Sequence, residues 1–93
     1  MTKRVHAIFR GRVQGVGFRF TAESIAADLE VLGWVRNLPG GDVEILAEQN
    51  ESILKDFLRQ IEEQFAGYIQ DKQVSWENAT GEFKDFGIKH LDF

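Results

Sequence analysis

With 93 residues, a formal charge of −4 and no cysteine, the chain has room for one domain and one core, and nothing from which to build a disulfide framework, a thiol nucleophile or a thiolate metal site. The net charge argues against broad binding of a polyanion, although Arg10, Arg12 and Arg19 leave places for one small anion. The 43% apolar share is that of an ordinary soluble protein, and no apolar run approaches the roughly 20 residues that a bilayer span requires, so no membrane partner is expected.

The start, Met1-Thr2-Lys3-Arg4, runs directly into strand-like alternation and shows no secretory signal, which makes cytoplasmic residence the expectation. From residue 4 to residue 13 the period is two, with Val5, Ala7, Phe9 and Val13 on one side and Arg4, His6, Ile8, Arg10 and Arg12 on the other: a first strand. Ala22, Ile25, Ala26, Leu29 and Leu32 then recur at helical spacing, predicting a helix that begins at or just before Thr21 and is capped by Gly33. Residues 33–38 and 42–48 read as two strands, and Leu38-Pro39-Gly40-Gly41-Asp42 between them has the turn chemistry of a tight antiparallel hairpin. A second helix follows, with Asn50 or Ser52 as N-cap, Ile53, Leu54, Phe57, Leu58, Ile61 and Phe65 as its apolar face, and Gly67 beyond its end. Residues 69–76 supply a fourth strand and 83–91 a short fifth, separated by the turn-forming Asn78-Ala79-Thr80-Gly81. The order predicts an α+β, ferredoxin-like βαββαβ sandwich spanning residues 1–93 as one domain. Its antiparallel sheet would carry both helices on one face and a short final edge strand.

Such a fold hosts many activities, so function rests on the site. The informative segment is Gly11-Arg12-Val13-Gln14-Gly15-Val16-Gly17-Phe18-Arg19, at the junction of the first strand and first helix. Its glycines permit a backbone in which successive N–H groups converge on an anion, beside the positive end of the helix that follows. Arg19 adds a guanidinium able to grip two phosphate oxygens at once. On spacing alone, glycines at a strand-helix junction are more often plain turn formers. The segment is not a Walker loop, having no Gly-Lys-Ser/Thr, nor a dinucleotide fingerprint, whose last glycine is missing.

This segment resembles the first acylphosphatase signature, and Gly33-Trp34-Val35-Arg36-Asn37-Leu38-Pro39-Gly40-Gly41-Asp42-Val43-Glu44 is similar to the second; Gly81-Glu82-Phe83-Lys84-Asp85-Phe86-Gly87-Ile88 is similar to that family's closing strand. The resemblance covers essentially the whole chain. It implies hydrolysis of the carboxyl-phosphate bond of a small-molecule acyl phosphate to a carboxylate and inorganic phosphate, with no cofactor and no metal. It implies that Arg19 and the loop residues Gln14, Gly15, Val16, Gly17 and Phe18 bind the substrate phosphate, and that Asn37 orients the attacking water. Arg19 and Asn37 are thus the catalytic pair, in a chain expected to act as a monomer. Three departures stand out: Phe9 in place of a smaller aliphatic residue, Gln49 in place of a glycine, and a continuation through Leu91-Asp92-Phe93.

The remaining residues take simpler readings. Without the signatures Asn37 would be a turn residue before Leu38-Pro39-Gly40-Gly41. His6 and His90 read as structural, Trp34 and Trp76 as packing residues, and Asp42, Glu44 and Glu48 as a solvent-facing row without metal-ligand spacing. The Asn-x-Ser/Thr matches at Asn50 and Asn78 lack a secretory context for glycosylation. A nucleic-acid-binding domain of the same order would need a basic and aromatic third strand, whereas this one reads Asp42-Val43-Glu44-Ile45-Leu46-Ala47-Glu48, so no nucleic-acid partner is expected. The alternative is a non-catalytic phosphate-binding or interaction module on the same fold, which would need Arg19 but not Asn37.

Overall fold

In the computed structural model the described residues are 1–90; Leu91, Asp92 and Phe93, and with them the last residue of the expected fifth strand and the C-terminal continuation, lie outside them. The chain runs β1 (Thr2–Gly11), α1 (Phe18–Leu29), β2 (Leu32–Asn37), β3 (Val43–Asn50), α2 (Glu51–Gln64), β4 (Ile69–Asn78) and β5 (Phe86–Ile88). The five strands form one sheet in the order β4-β1-β3-β2-β5. β1 pairs antiparallel with β3 and β4, and β2 antiparallel with β3. β5 pairs parallel with β2, so the sheet is mixed. The chain leaves β4 at the end of the sheet where β1 begins, crosses beneath that end, and can only re-enter running upward beside β2.

The predicted alternation is realised. Val5, Ala7 and Phe9 of β1, Val35 of β2, and Val43, Ile45 and Ala47 of β3 are fully buried on one face. Against them pack Ala22, Ile25 and Ala26 of α1 and Leu54, Phe57, Leu58 and Ile61 of α2. Each buried aliphatic or aromatic side chain contributes about 1.5–3 kcal/mol, and a chain without cysteine has no disulfide to add to them.

Element ends differ from expectation in three instructive places. α1 starts at Phe18, ahead of Thr21, because Gly17 at φ 83 turns the chain into the helix from a left-handed position. It ends at Leu29, with Glu30 at φ 57 and its N–H directed back to the carbonyls of Ala26 and Ala27, so Gly33 is not its cap. Gly33 instead lies inside β2 at φ 137, where a Cβ would sit 1.9 Å from the Leu46 carbonyl oxygen; the glycine is there for close approach of two strands. Asn50 is the residue before α2, but its side chain makes no capping bond. Gln49 does the tying: its amide Nε2 donates to the Glu30 carbonyl at 2.7 Å and its Oε1 accepts the Asn50 N–H at 2.8 Å, joining the end of β3 to the end of α1.

The sheet face opposite the helices is less open than the sequence suggests, which corrects the reading of Glu44 and Glu48 as solvent-facing. Residues 79–85 cross the lower end of that face, and Glu48, 3% exposed, is the post to which they are tied. Its Oε2 accepts from Arg4 Nε at 2.8 Å and from the Thr80 N–H at 2.9 Å, and its Oε1 accepts from the Gly81 N–H at 3.0 Å. Arg4 also bonds Thr80 Oγ1 and Glu82, and its guanidinium lies 5.1 Å from the centre of the Phe83 ring. The crossing segment docks on β2 through the Gly33 N–H and the Asp85 carbonyl, 2.8 Å apart. Burial alone would raise the Glu48 pKa, but the Thr80 N–H, Arg4 and the Gly81 N–H outweigh it and hold the carboxyl below its usual range. Higher on the same face Glu44 accepts from His6 Nε2 and Arg36 Nε, both at 2.6 Å. Burial raises its pKa too, and these two bonds again reverse the direction.

Trp34 lies between the cationic groups of Arg36 and Lys89, 4.9 and 5.1 Å from its ring centre, and Trp76 is 40% exposed, so neither belongs to the buried core. β4 is an edge strand of ten residues, paired on one side by β1 and mostly exposed.

Candidate active site

The C-terminal end of β1, the N-terminal end of α1 and the last residue of β2 meet at the end of the sheet remote from Glu48. The connecting loop is pinned at both ends by apolar side chains: Val13 is fully buried and Phe18 is 1% exposed. Phe18 stacks 5.3 Å from Phe9 and 4.8 Å from Phe65, which in turn meets Tyr68 at 6.3 Å, so a row of aromatic rings underlies the loop. The Phe9 departure therefore supplies part of the floor beneath the cradle. Such contacts are worth about 0.5–1.5 kcal/mol each beyond the area they bury.

Above this floor Gly15 at φ 76 and Gly17 at φ 83 hold the backbone in left-handed conformations. Among the described residues the N–H groups of Gly15, Val16 and Gly17 donate to no protein acceptor. The helix that follows adds the N–H groups of its own first turn, with no side-chain cap and no acidic residue in that turn to oppose its positive end. A loop and helix terminus so arranged form a site for one anion.

Of the three basic positions singled out, two are engaged elsewhere. Arg10 Nε lies 3.4 Å from Asp42, and its guanidinium also reaches Asp71 and Gln73; Arg12 turns to the Tyr68 ring, 5.7 Å away. Arg19, the second residue of α1, has no ion-pair or side-chain hydrogen-bond partner among the described residues. It lines a cavity of about 150 Å³ together with Val13, Gly15, Gly17, Phe18, Phe20 and Asn37. That is the room of about five waters at roughly 30 Å³ each, enough for a phosphoryl group. A wider hollow of about 450 Å³ beside α1 is lined by Glu23, Glu30 and Asp85 and is unsuited to an anion.

Asn37 closes the cavity from β2. Its Oδ1 is buried and has no hydrogen-bond partner among the described residues. An acceptor left in that state costs about 1–3 kcal/mol. The hairpin that carries it is closed by the Leu38 N–H to the Asp42 carbonyl at 2.8 Å, as the turn residues predict.

The predicted phosphate-binding residues divide. Gly15, Gly17, Phe18 and Arg19 line the cavity, whereas Gln14 and Val16 do not. Val16 packs on the core. The Gln14 amide reaches across to the hairpin and donates to the carbonyls of Leu38 at 2.9 Å and Asp42 at 2.8 Å, so it braces the loop against the turn bearing Asn37. Two lining residues, Val13 and Phe20, have no place in the sequence-based site. Phe20 carried a signal, since it stands off the apolar stripe of α1 directly after Arg19. Among the described residues no group of three or more His, Cys, Asp or Glu is placed to hold a metal ion, and no helix is long and apolar enough to cross a membrane.

Comparison with known proteins identifies a family. The family model described as acylphosphatase matches residues 5–88. A protein of Methanospirillum hungatei named acylphosphatase is 50% identical over 72 residues, covering 77% of this chain and 79% of its own. One of Trichormus variabilis, also named acylphosphatase, is 40% identical over 89 residues, covering 95% and 87%. The crystal structure of acylphosphatase from Bacillus subtilis superposes with a TM-score of 0.85 at 32% identity, covering 96% of this chain and 99% of that one.

Proposed function

The chain belongs to the acylphosphatase family, and we propose that it works as an acylphosphate phosphohydrolase needing no metal ion, in which Arg19 and Asn37 are the catalytic residues. In this reading it is a cytoplasmic monomer whose partners are a small acyl phosphate and the inorganic phosphate it releases, with no nucleic acid or membrane involved. The observation that carries the reading is the meeting of Arg19, the Gly15 and Gly17 backbone and Asn37 at one small cavity, with no partner for that guanidinium or those loop N–H groups among the described residues.

Arg19 and the N–H groups from Gly15 to Phe18 grip the phosphoryl oxygens and stabilise them as charge redistributes. Asn37 hydrogen-bonds a water and holds it in line with the breaking bond. The water oxygen bonds to phosphorus, the bond from phosphorus to the acyl oxygen breaks, and the electron pair leaves with the carboxylate. The water's proton passes to a phosphate oxygen. Because a carboxylate is a good leaving group, positioning and charge stabilisation suffice and no histidine or carboxyl base is called for.

The test is hydrolysis of benzoyl phosphate without added metal and with chelator present. Arg19→Ala is expected to lower kcat/KM by about 10²–10³ with both binding and rate impaired, and Asn37→Ala to lower chiefly kcat by about 10². A parent that binds phosphate without turnover would return the binding-module reading. Full activity in Asn37→Ala would remove its assigned role while leaving the cradle in place.

A further inference from the structure

We infer that Phe20 is the acyl-group wall of this site, and that it biases the enzyme toward acyl phosphates with a flat, apolar acyl half. The inference rests on the phosphohydrolase reading and extends it to the part of the substrate that the cradle does not hold.

Phe20 is 70% exposed, while Phe9, Phe18 and Phe57 are buried to within 1%. Among the described residues the other large apolar side chains with substantial exposure are Met1, Tyr68 and Trp76, and none of them lines the anion cavity. Helix packing does not account for a phenyl ring here. The buried stripe of α1 runs through Phe18, Ala22, Ile25 and Ala26, and position 20 lies off it. Its place is the first helical turn, directly after Arg19, on the wall of the cavity whose backbone donors and guanidinium select a phosphoryl group.

The guanidinium and backbone donors of the cavity, about 150 Å³ in volume, take the phosphoryl end, which leaves the acyl group to lie against the rest of the lining. The side chains that line it divide by chemistry. Arg19 and Asn37 are polar; Val13 and Phe18 are buried floor; Phe20 is the one lining side chain that presents a large apolar surface outward. No acidic side chain stands in the first turn of α1 to attract a cationic acyl group. Arg10 and Arg12 do not line the cavity; Arg10 reaches Asp42 and Arg12 the Tyr68 ring. What the rim offers is a ring face. A planar apolar acyl group covers that face and is covered by it, whereas an acetyl group is too small to reach far across it.

The experiment compares kcat/KM for benzoyl phosphate and acetyl phosphate in the parent, Phe20→Ala and Phe20→Tyr. In Phe20→Ala the benzoyl value is expected to fall about three- to tenfold, the worth of one aromatic contact, while the acetyl value stays within about twofold. Phe20→Tyr, which keeps the ring, should keep the parent's preference. Acetyl phosphate turnover certifies in the same sample that the chain is folded and its cradle intact. Equal falls for both substrates, or no change in either, would overturn the inference and leave the hydrolase reading standing. A parent inert toward both substrates would sink the hydrolase reading and this one with it.

Discussion

Glu48→Ala tests whether the buried carboxylate fastens the segment that crosses the sheet. The substitution removes the acceptor shared by Arg4, the Thr80 N–H and the Gly81 N–H. Breaking a buried charge pair by deleting one partner costs about 3–5 kcal/mol, because the other charge stays buried and unpaired. Arg4 would keep Thr80 Oγ1 and the exposed Glu82 as partners, which places the cost at the low end, about 3 kcal/mol. At about 4–8 °C per kcal/mol for a domain of this size, Tm should fall by roughly 12–24 °C. Urea and thermal unfolding followed by circular dichroism read the loss. Hydrolysis measured well below the new Tm should stay within about twofold of the parent, since the anion cavity lies at the other end of the sheet. The double variant Arg4→Met with Glu48→Leu should recover only part of the loss, because it removes the unpaired guanidinium but leaves the Thr80 and Gly81 N–H groups without their acceptor. A loss under about 1 kcal/mol in Glu48→Ala would show that solvent reaches this carboxylate, and the account of the crossing segment would fall.

Gln14→Ala should cost only about 1–2 kcal/mol in urea unfolding, since the Leu38 and Asp42 carbonyls still accept from the N–H groups of Gly41 and Leu38; kcat should nevertheless drop about tenfold as the loop loses its brace to Asn37. Unchanged kcat would mean that the turn holds Asn37 unaided. Gly33→Ala should destabilise by about 2 kcal/mol or more, because its Cβ would fall 1.9 Å from the Leu46 carbonyl oxygen; a neutral effect by thermal melt would contradict the close approach of β2 and β3. The acid limb of stability follows from Glu44 and Glu48, both held below the usual carboxylate range. A carboxyl whose pKa is depressed by folding stabilises fully above its unfolded value, about 4.3, and loses that contribution as pH falls through the folded value. Unfolding free energy should therefore decline below about pH 4.3, and by less in Glu44→Gln, as urea midpoints across that range will read.

The elements were legible because their signals are local. Alternation at Val5, Ala7 and Phe9 and helical spacing at Leu54, Phe57, Leu58 and Ile61 each need only a few neighbouring residues to show, and the turn at Leu38-Pro39-Gly40-Gly41-Asp42 declares itself by composition. What was missed is long-range. Alternation sends Glu44 and Glu48 away from the helices but cannot say what covers the far face, and the cover comes from residues 79–85 and from His6 and Arg36. Gly33 looked like a helix cap because it follows the periodic run; its partner, Leu46, is known only once β2 and β3 are paired. Gln14 stands inside the loop motif, yet its amide is claimed by carbonyls 24 and 28 positions away. Phe20 went unassigned for the opposite reason: its signal, an aromatic residue off the stripe, has meaning only when the cavity beside it is known.

The clasp at Glu48 also bears on what the chain does when it is damaged. β4 leaves ten residues of backbone with one side unpaired, an open template on which a second copy could add a strand. Asp71, Lys72 and Glu77 place charges of both signs along it, which discourages such pairing. The crossing segment begins directly where β4 ends, so releasing it from Glu48 lengthens the exposed backbone and adds the Phe83 ring to it. Wear at that one carboxylate would turn loss of folding energy into self-association, and the first casualty would be solubility rather than turnover.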